Sequence, residues 1–272
     1  MEKARPKFRG IAVSGLVPPH SEVMSLFRQV LDEDSRLRRV RLLSEPGYKN
    51  LADMDWALLK ATAKRELLSA IEQTTPSSPP NVIFSTSLGT MLTLIALDDL
   101  IRDDRVVDPE RPDARGQVHS IVCYGCPYQQ SAAFKLVCCL SYVVVLLVGR
   151  TPFIGSLIKL IPIWRKWHCR HQRSYWIPLG AVAVIFSAHA EFRRMVIRYA
   201  SEETAFSIPV AFLHGTEDRL SRWSGSRRVA KLLRQKFVPI ELAGSDPSSS
   251  GDPIASRALL RKTRRFIFRS KS

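Results

Sequence analysis

The chain has 272 residues, 45% hydrophobic and 24% charged. That balance suits one globular α/β domain with room for an insertion, and it excludes a disordered or fibrous chain. The formal net charge of +16 implies attraction to something anionic, such as a lipid surface, an acidic substrate or an acidic protein. Nucleic acid is not expected, because neither aromatic–basic interleaving nor any nucleic-acid module is readable.

Five cysteines are too few for a disulfide framework in a chain of this length. They read as reduced thiols in a cytoplasmic protein. Met1 to Gly10 is charged, and the apolar stretch after it is too short for a signal peptide.

Along the chain, short β-branched runs alternate with longer helical patterns. Strands are predicted at about 10–14, 38–43, 81–85, 118–124, 208–213 and 237–242. Helices are predicted at about 21–33, 51–72, 88–101, 222–235 and 253–268. The rhythm implies an α/β fold: a mostly parallel sheet of about six strands flanked by helices. Several strands are apolar without alternation, as expected where both faces are buried. Thr75-Pro76-Ser77-Ser78-Pro79-Pro80 breaks the chain before the third strand. The charged stretch 102–117 reads as a surface loop.

The stretch 129–207 interrupts the rhythm and contains no clear strand. It is apolar, and Glu191 is the only acid between Gln129 and Ser201. It reads as an inserted helical lid, with 1–128 and 208–272 forming the core. The longest apolar run, 136–148, is shorter than the roughly 20 residues a membrane span needs. With 151–164, and with Trp164, Trp167 and Trp176 among basic residues, it has three readings. The helices rest in a bilayer interface, line an acyl channel or simply pack on the sheet.

The sharpest local pattern is Asn81-Val82-Ile83-Phe84-Ser85-Thr86-Ser87-Leu88-Gly89-Thr90. An apolar strand runs through small residues straight into an apolar helix. Such a bend strains the middle residue and lifts its side chain above the sheet edge. The helix N-terminus beneath it offers N–H groups to a developing oxyanion. Ser87 also suits a helix N-cap, so the pentapeptide alone leaves both roles open.

This segment resembles the nucleophile elbow of the α/β-hydrolase superfamily, Gly-x-Ser-x-Gly, with Ser85 in the first glycine position. A second segment resembles that family's penultimate strand and acid loop: Ile208 to Leu213, then His214-Gly215-Thr216-Glu217-Asp218. The resemblance covers roughly residues 10–268 and implies Ser87 as nucleophile and Asp218 as the triad acid. It further implies backbone N–H groups of Leu16 and Leu88 as the oxyanion hole, although Ser14 stands where the family usually has histidine. Apart from the resemblance, Glu217 and Asp218 suit a helix-start turn.

The family's histidine belongs in the loop after the last strand. There the chain reads Ser245-Asp246-Pro247, and no histidine follows His214. His20, His189 and His214 are the candidates for a displaced base. Two functions follow. One is a serine hydrolase acting on a carboxylic ester or other acyl substrate, a small acyl compound or a lipid. The other is a catalytically inactive protein of the same fold that binds a lipid, an anionic membrane or a protein partner.

Cys123-Tyr124-Gly125-Cys126 could be redox-active, and with His168, Cys169 and His171 could bind zinc by residue type. The spacing fits no standard site. Neither a metal nor a cofactor is expected.

Overall fold

The computed structural model describes residues 8–13, 30, 37–40, 56–72, 79–103, 118–129, 132–148, 151, 153–167, 174–214, 223–235 and 253–269. In chain order the elements are β1 (Arg9–Val13), β2 (Leu37–Val40), α1 (Trp56–Glu72), β3 (Asn81–Thr86), α2 (Leu88–Arg102) and β4 (Val118–Tyr124). There follow α3 (Ala132–Val148), α4 (Ile154–Lys159), β5 (Pro162–Trp167), β6 (Ser174–Pro178), α5 (Leu179–Ser201), β7 (Val210–Leu213), α6 (Trp223–Leu232) and α7 (Pro253–Arg269).

The main sheet has the order β2-β1-β3-β4-β7, and every pairing in it is parallel. Among the described residues it has five strands rather than six. The sixth expected strand, 237–242, lies outside them, as does nearly all of the helix expected at 21–33.

Both faces of the sheet are buried, which explains why its strands carry apolar residues at successive positions. Ile11 and Val13 of β1, Ile83 of β3, Cys123 of β4 and Phe212 of β7 point into the larger core. Their neighbours Ala12, Phe84, Val122, Tyr124 and Leu213 point into the smaller one. The larger core is roofed by α1, α2 and α5. On α1 the buried residues Leu59, Ala63, Leu67, Ala70 and Ile71 recur at helical spacing. The smaller core is closed by α7. There the His119 ring bonds the Ile267 carbonyl at 3.0 Å, and Phe8 stacks on His119.

Charged side chains tie the three roofing helices together. Lys60 of α1 bridges Asp99 of α2 at 3.0 Å and also Glu191 of α5, which accepts from the Trp56 indole as well. Burial pulls the Lys60 pKa down, but the two carboxylates outweigh it and hold it above the ordinary lysine value. Asp98 of α2 accepts from Arg198 and, at 3.0 Å, from the Tyr199 hydroxyl.

The stretch 129–207 departs from the expectation of helices alone. β5 and β6 form an antiparallel hairpin, and α4 is a single short helix. The apolar pattern of 151–164 suggested a longer helix. Pro162 lacks the N–H that would continue it, and the Ile163-Trp164 and Tyr175-Trp176-Ile177 runs favour strands. α5 is not peripheral: Ala181, Val182, Ala188 and Phe192 lie in the main core. None of the described helices is long and apolar enough to cross a membrane.

The Asp98 side chain is 3% exposed, so its removal strands a partly buried guanidinium and a phenol. Asp98→Ala is expected to destabilise the fold by about 2 kcal/mol, read as a lower urea midpoint. An unchanged midpoint would show that the cluster contributes nothing net.

Candidate active site

β3 ends at Thr86 and α2 begins at Leu88, so a single residue turns the chain from strand to helix. That residue, Ser87, has φ 50° and ψ −124°, a backbone conformation that side-chain-bearing residues rarely adopt. Two bonds hold it there. Its N–H donates to the Tyr124 carbonyl at 2.9 Å, carrying the β3–β4 ladder one residue past the strand, and its carbonyl accepts the Thr90 N–H at 3.0 Å.

Ser87 occupies the N-cap position of α2, yet its side chain makes no capping bond. The capping role that the sequence left open is therefore not taken, and the partly exposed hydroxyl stands at the C-terminal edge of the sheet. Leu88 follows as the first residue of α2, 2% exposed. Its N–H has no acceptor within the helix, as for any residue of a first turn.

The substitution of serine for glycine at position 85 is accommodated by packing. Ser85 is fully buried, with Oγ 3.4 Å from Thr90 Oγ1 and 3.5 Å from the Val122 carbonyl and Cys123 Sγ. A hydroxymethyl group fits between strand and helix there.

The second family-like segment leaves the sheet at the same edge. Thr86 is in register with Tyr124, and Tyr124 with Leu213. Ser87 and His214 therefore each lie one residue beyond a common row, about 10 Å apart across two strand spacings. His214 is buried, its Nδ1 2.8 Å from the Ser226 hydroxyl of α6, and Ser226 Oγ lies 3.4 Å from the Cys126 carbonyl. The bond spans 12 residues, and no sequence pattern singled out Ser226; its only trace is a small residue in a helix otherwise rich in cations. α6 also presses close to the loop after β4. Ser224 donates to Gln129, and a Cβ on Gly225 would lie 2.6 Å from the Gln129 Cβ, so only glycine fits.

One further candidate has a defined position. His189 of α5 bonds the Tyr128 carbonyl at 2.7 Å. Burial holds its pKa below the ordinary histidine value, and nearby Lys135 and Arg193 push the same way. His119 sits at the opposite end of β4 and plays no part at this edge. Asp218, Leu16 and His20 lie outside the described residues, as do His168, Cys169 and His171.

Solved structures share this architecture. A soluble variant of monoglyceride lipase from Saccharomyces cerevisiae, determined with a substrate analogue, superposes with a TM-score of 0.67 at 10% identity, covering 96% of this chain and 86% of that one. A structure described with two metagenome-derived lipolytic enzymes gives 0.63 at 11%, covering 97% and 94%. Alpha/beta hydrolase domain-containing protein 10 from mouse gives 0.53 at 16%, covering 95% and 89%. The fold is the α/β-hydrolase fold. No protein-family model matches the sequence, and no curated protein does either; the likeness lies in three-dimensional arrangement.

Within that fold Ser87 stands at the strand-to-helix bend that the elbow pattern implied. The two thiols of the C-x-x-C segment lie inside the core. Cys123 and Cys126 are both free and fully buried; burial pushes the Cys123 thiol up to about 12 and Cys126 well above its ordinary value. Thiols so buried are poor nucleophiles and poor metal ligands, and no metal-binding cluster occurs among the described residues.

Two measurements follow. Strain at Ser87 is relieved by glycine and retained by alanine, so Ser87→Gly is expected to be more stable than Ser87→Ala by about 1 kcal/mol. Equal stabilities would deny the strain. Under native conditions at mild alkaline pH, iodoacetamide is expected to modify exposed Cys139, while Cys123, Cys126 and Cys138 react only after unfolding. Peptide mass mapping reads this directly, and rapid native modification of Cys123 would refute its burial.

Proposed function

We propose that the chain is a serine hydrolase acting on a carboxylic ester or other acyl substrate, small or lipid-derived, in the cytoplasm. The observation that carries this is Ser87. A serine is held at φ 50° between a strand and a helix, and its hydroxyl is not spent on the helix it precedes. Strain of this kind persists only where the surroundings enforce it, and it concentrates at functional sites.

In this reading Ser87 Oγ attacks the acyl carbon. The N–H groups of Leu88 and Leu16 receive the negative charge that forms on the carbonyl oxygen. A base takes the serine proton and later returns it to the leaving alcohol, and water then releases the acid by the same steps in reverse. Asp218 orients that base and stabilises its protonated form. Asp218 follows His214 by four residues, a reach of up to about 14 Å. Its loop starts at the sheet edge where Ser87 stands.

The base is the open position. Each described imidazole has one ring nitrogen engaged: His119 with Ile267, His189 with Tyr128 and His214 with Ser226. His20 follows β1, whose Val13 pairs with Ser85 beside the elbow, so its loop leaves the sheet next to Ser87. It is the preferred base. The stretch 129–207 would act as the lid over this edge, anchored in the core by α5. The same engaged imidazoles favour a second reading, a non-catalytic relative that keeps the fold and binds an acyl or lipid ligand.

A fluorophosphonate probe separates the two. Labelling is expected in the native chain, lost in Ser87→Ala and reduced by orders of magnitude in His20→Ala. Labelling that survives Ser87→Ala rejects this nucleophile. Absence of labelling from mildly acid to alkaline pH selects the non-catalytic reading.

A further inference from the structure

Helix α3 packs on α5 along one side only. Cys138 and Ser141 are buried on that side, with Val137, Val145 and Val148 half-buried. On the other side Leu136, Leu140, Val143 and Leu147 stand at helical spacing, all exposed, Leu147 by 72%. A helix on a protein surface ordinarily turns charged and polar residues to solvent, but no charge occurs between Leu136 and Val148. α4 continues the apolar surface with Leu157, and Phe153 just before it is 77% exposed. Contiguous exposed apolar area of this kind marks an interaction site.

A second observation points the same way. Phe153 has φ 62°, a backbone conformation that is strained for a residue with a side chain, and its ring stands largely exposed. A partner that buries the ring would gain from that placement.

The charges choose the partner. Lys135 stands exposed at the head of the α3 stripe, Lys159 ends α4, and Arg193 and Arg194 are exposed on α5. The one acid of this region, Glu191, is turned inward to Lys60 and Trp56. A second copy meeting this face about a two-fold axis would bring like cations together. An anionic bilayer satisfies both features. Its headgroups attract the cations, while its acyl boundary receives the leucines and the phenyl ring. With 17 residues, α3 is about 25 Å long, and it lies along such a surface rather than across it.

We propose that the apolar face of α3 and α4, with Lys135 and Arg193 beside it and Lys159 at the end of α4, docks this protein onto anionic lipid bilayers. The docking does not depend on Ser87 being a nucleophile.

The test is co-sedimentation of the full chain with vesicles of phosphatidylcholine alone or mixed with phosphatidylserine. Binding is expected to be at least about 10-fold stronger on the mixed vesicles and to weaken between low salt and about 0.15 M. The double substitution Leu140→Asp/Leu147→Asp is expected to reduce binding roughly 100-fold with an unchanged circular dichroism spectrum. The pair Lys135→Glu/Arg193→Glu is expected to remove the preference for phosphatidylserine.

Absence of binding at low salt overturns the proposal, as does full binding by the leucine variant. A concentration-dependent dimer on size exclusion that the leucine variant abolishes, with no vesicle binding, assigns the face to a second copy instead. Ser87→Ala is expected to bind vesicles like the native chain, so docking and hydrolysis fail separately.

Discussion

The hydrogen bond from the Ser87 N–H to the Tyr124 carbonyl, 2.9 Å long, is the constraint around which the C-terminal edge of the sheet is arranged. It extends the β3–β4 ladder by one residue and thereby fixes where the strand must give way to α2. With the Thr90 N–H bound to the Ser87 carbonyl, the turn has no other residue to share the bend. The positive φ at Ser87 follows. So does the raised hydroxyl, because a backbone in that conformation cannot lay its side chain back over the helix to cap it. One backbone bond thus links the sheet register to the chemistry proposed for the site.

The sheet supports that bond by being buried on both faces. Ile83 and Phe84 are both fully enclosed, so β3 cannot slip by one residue without exchanging its two cores. Registers across β1, β3, β4 and β7 are therefore held together, and the residues that end these strands emerge at one edge. The Cys126 carbonyl, Ser226 and His214 then lock the far side of that edge to α6. The pairs of Lys60 and Asp98 secure the helices that roof the larger core. Of the helix cations, Lys60, Arg102 and Arg198 neutralise Asp98, Asp99 and Glu191.

The legible parts of the fold were those with strong local physics. The strands at 81–86 and 118–124 are apolar on both faces, and the bend at Ser87 is written in small residues at fixed offsets. α2, α6 and α7 appear almost at their expected limits, and α1 ends where expected, because their apolar positions recur with the helical period. β7 proved shorter than the apolar run suggested, starting at Val210 after Pro209. The hairpin of β5 and β6 was hidden because its Trp, Arg and Lys residues carry no alternation that separates strand from helix. What decides it is the proline at 162 and pairing with a segment that does not touch it in sequence. The His214–Ser226 bond and the fit of Gly225 against Gln129 depend on tertiary approach and leave no local pattern.

The likeness to solved hydrolases at 10 to 16% identity has the same cause. A parallel sheet needs apolar residues of suitable volume, not particular ones, so sequence can diverge while the layers persist. A site is less forgiving, since it needs particular atoms at particular places. In the proposed site Ser87 would meet that demand through backbone geometry, which tolerates Ser85 where the family pattern has glycine because the hydroxymethyl group fits beside Val122 and Cys123. A base cannot be replaced by something of similar volume. The lack of any histidine after His214 is therefore a departure of a different kind from the serine at position 85. Strain of the kind held at Ser87 concentrates at functional sites, and it makes the source of the base the deciding chemical question for the proposed hydrolase.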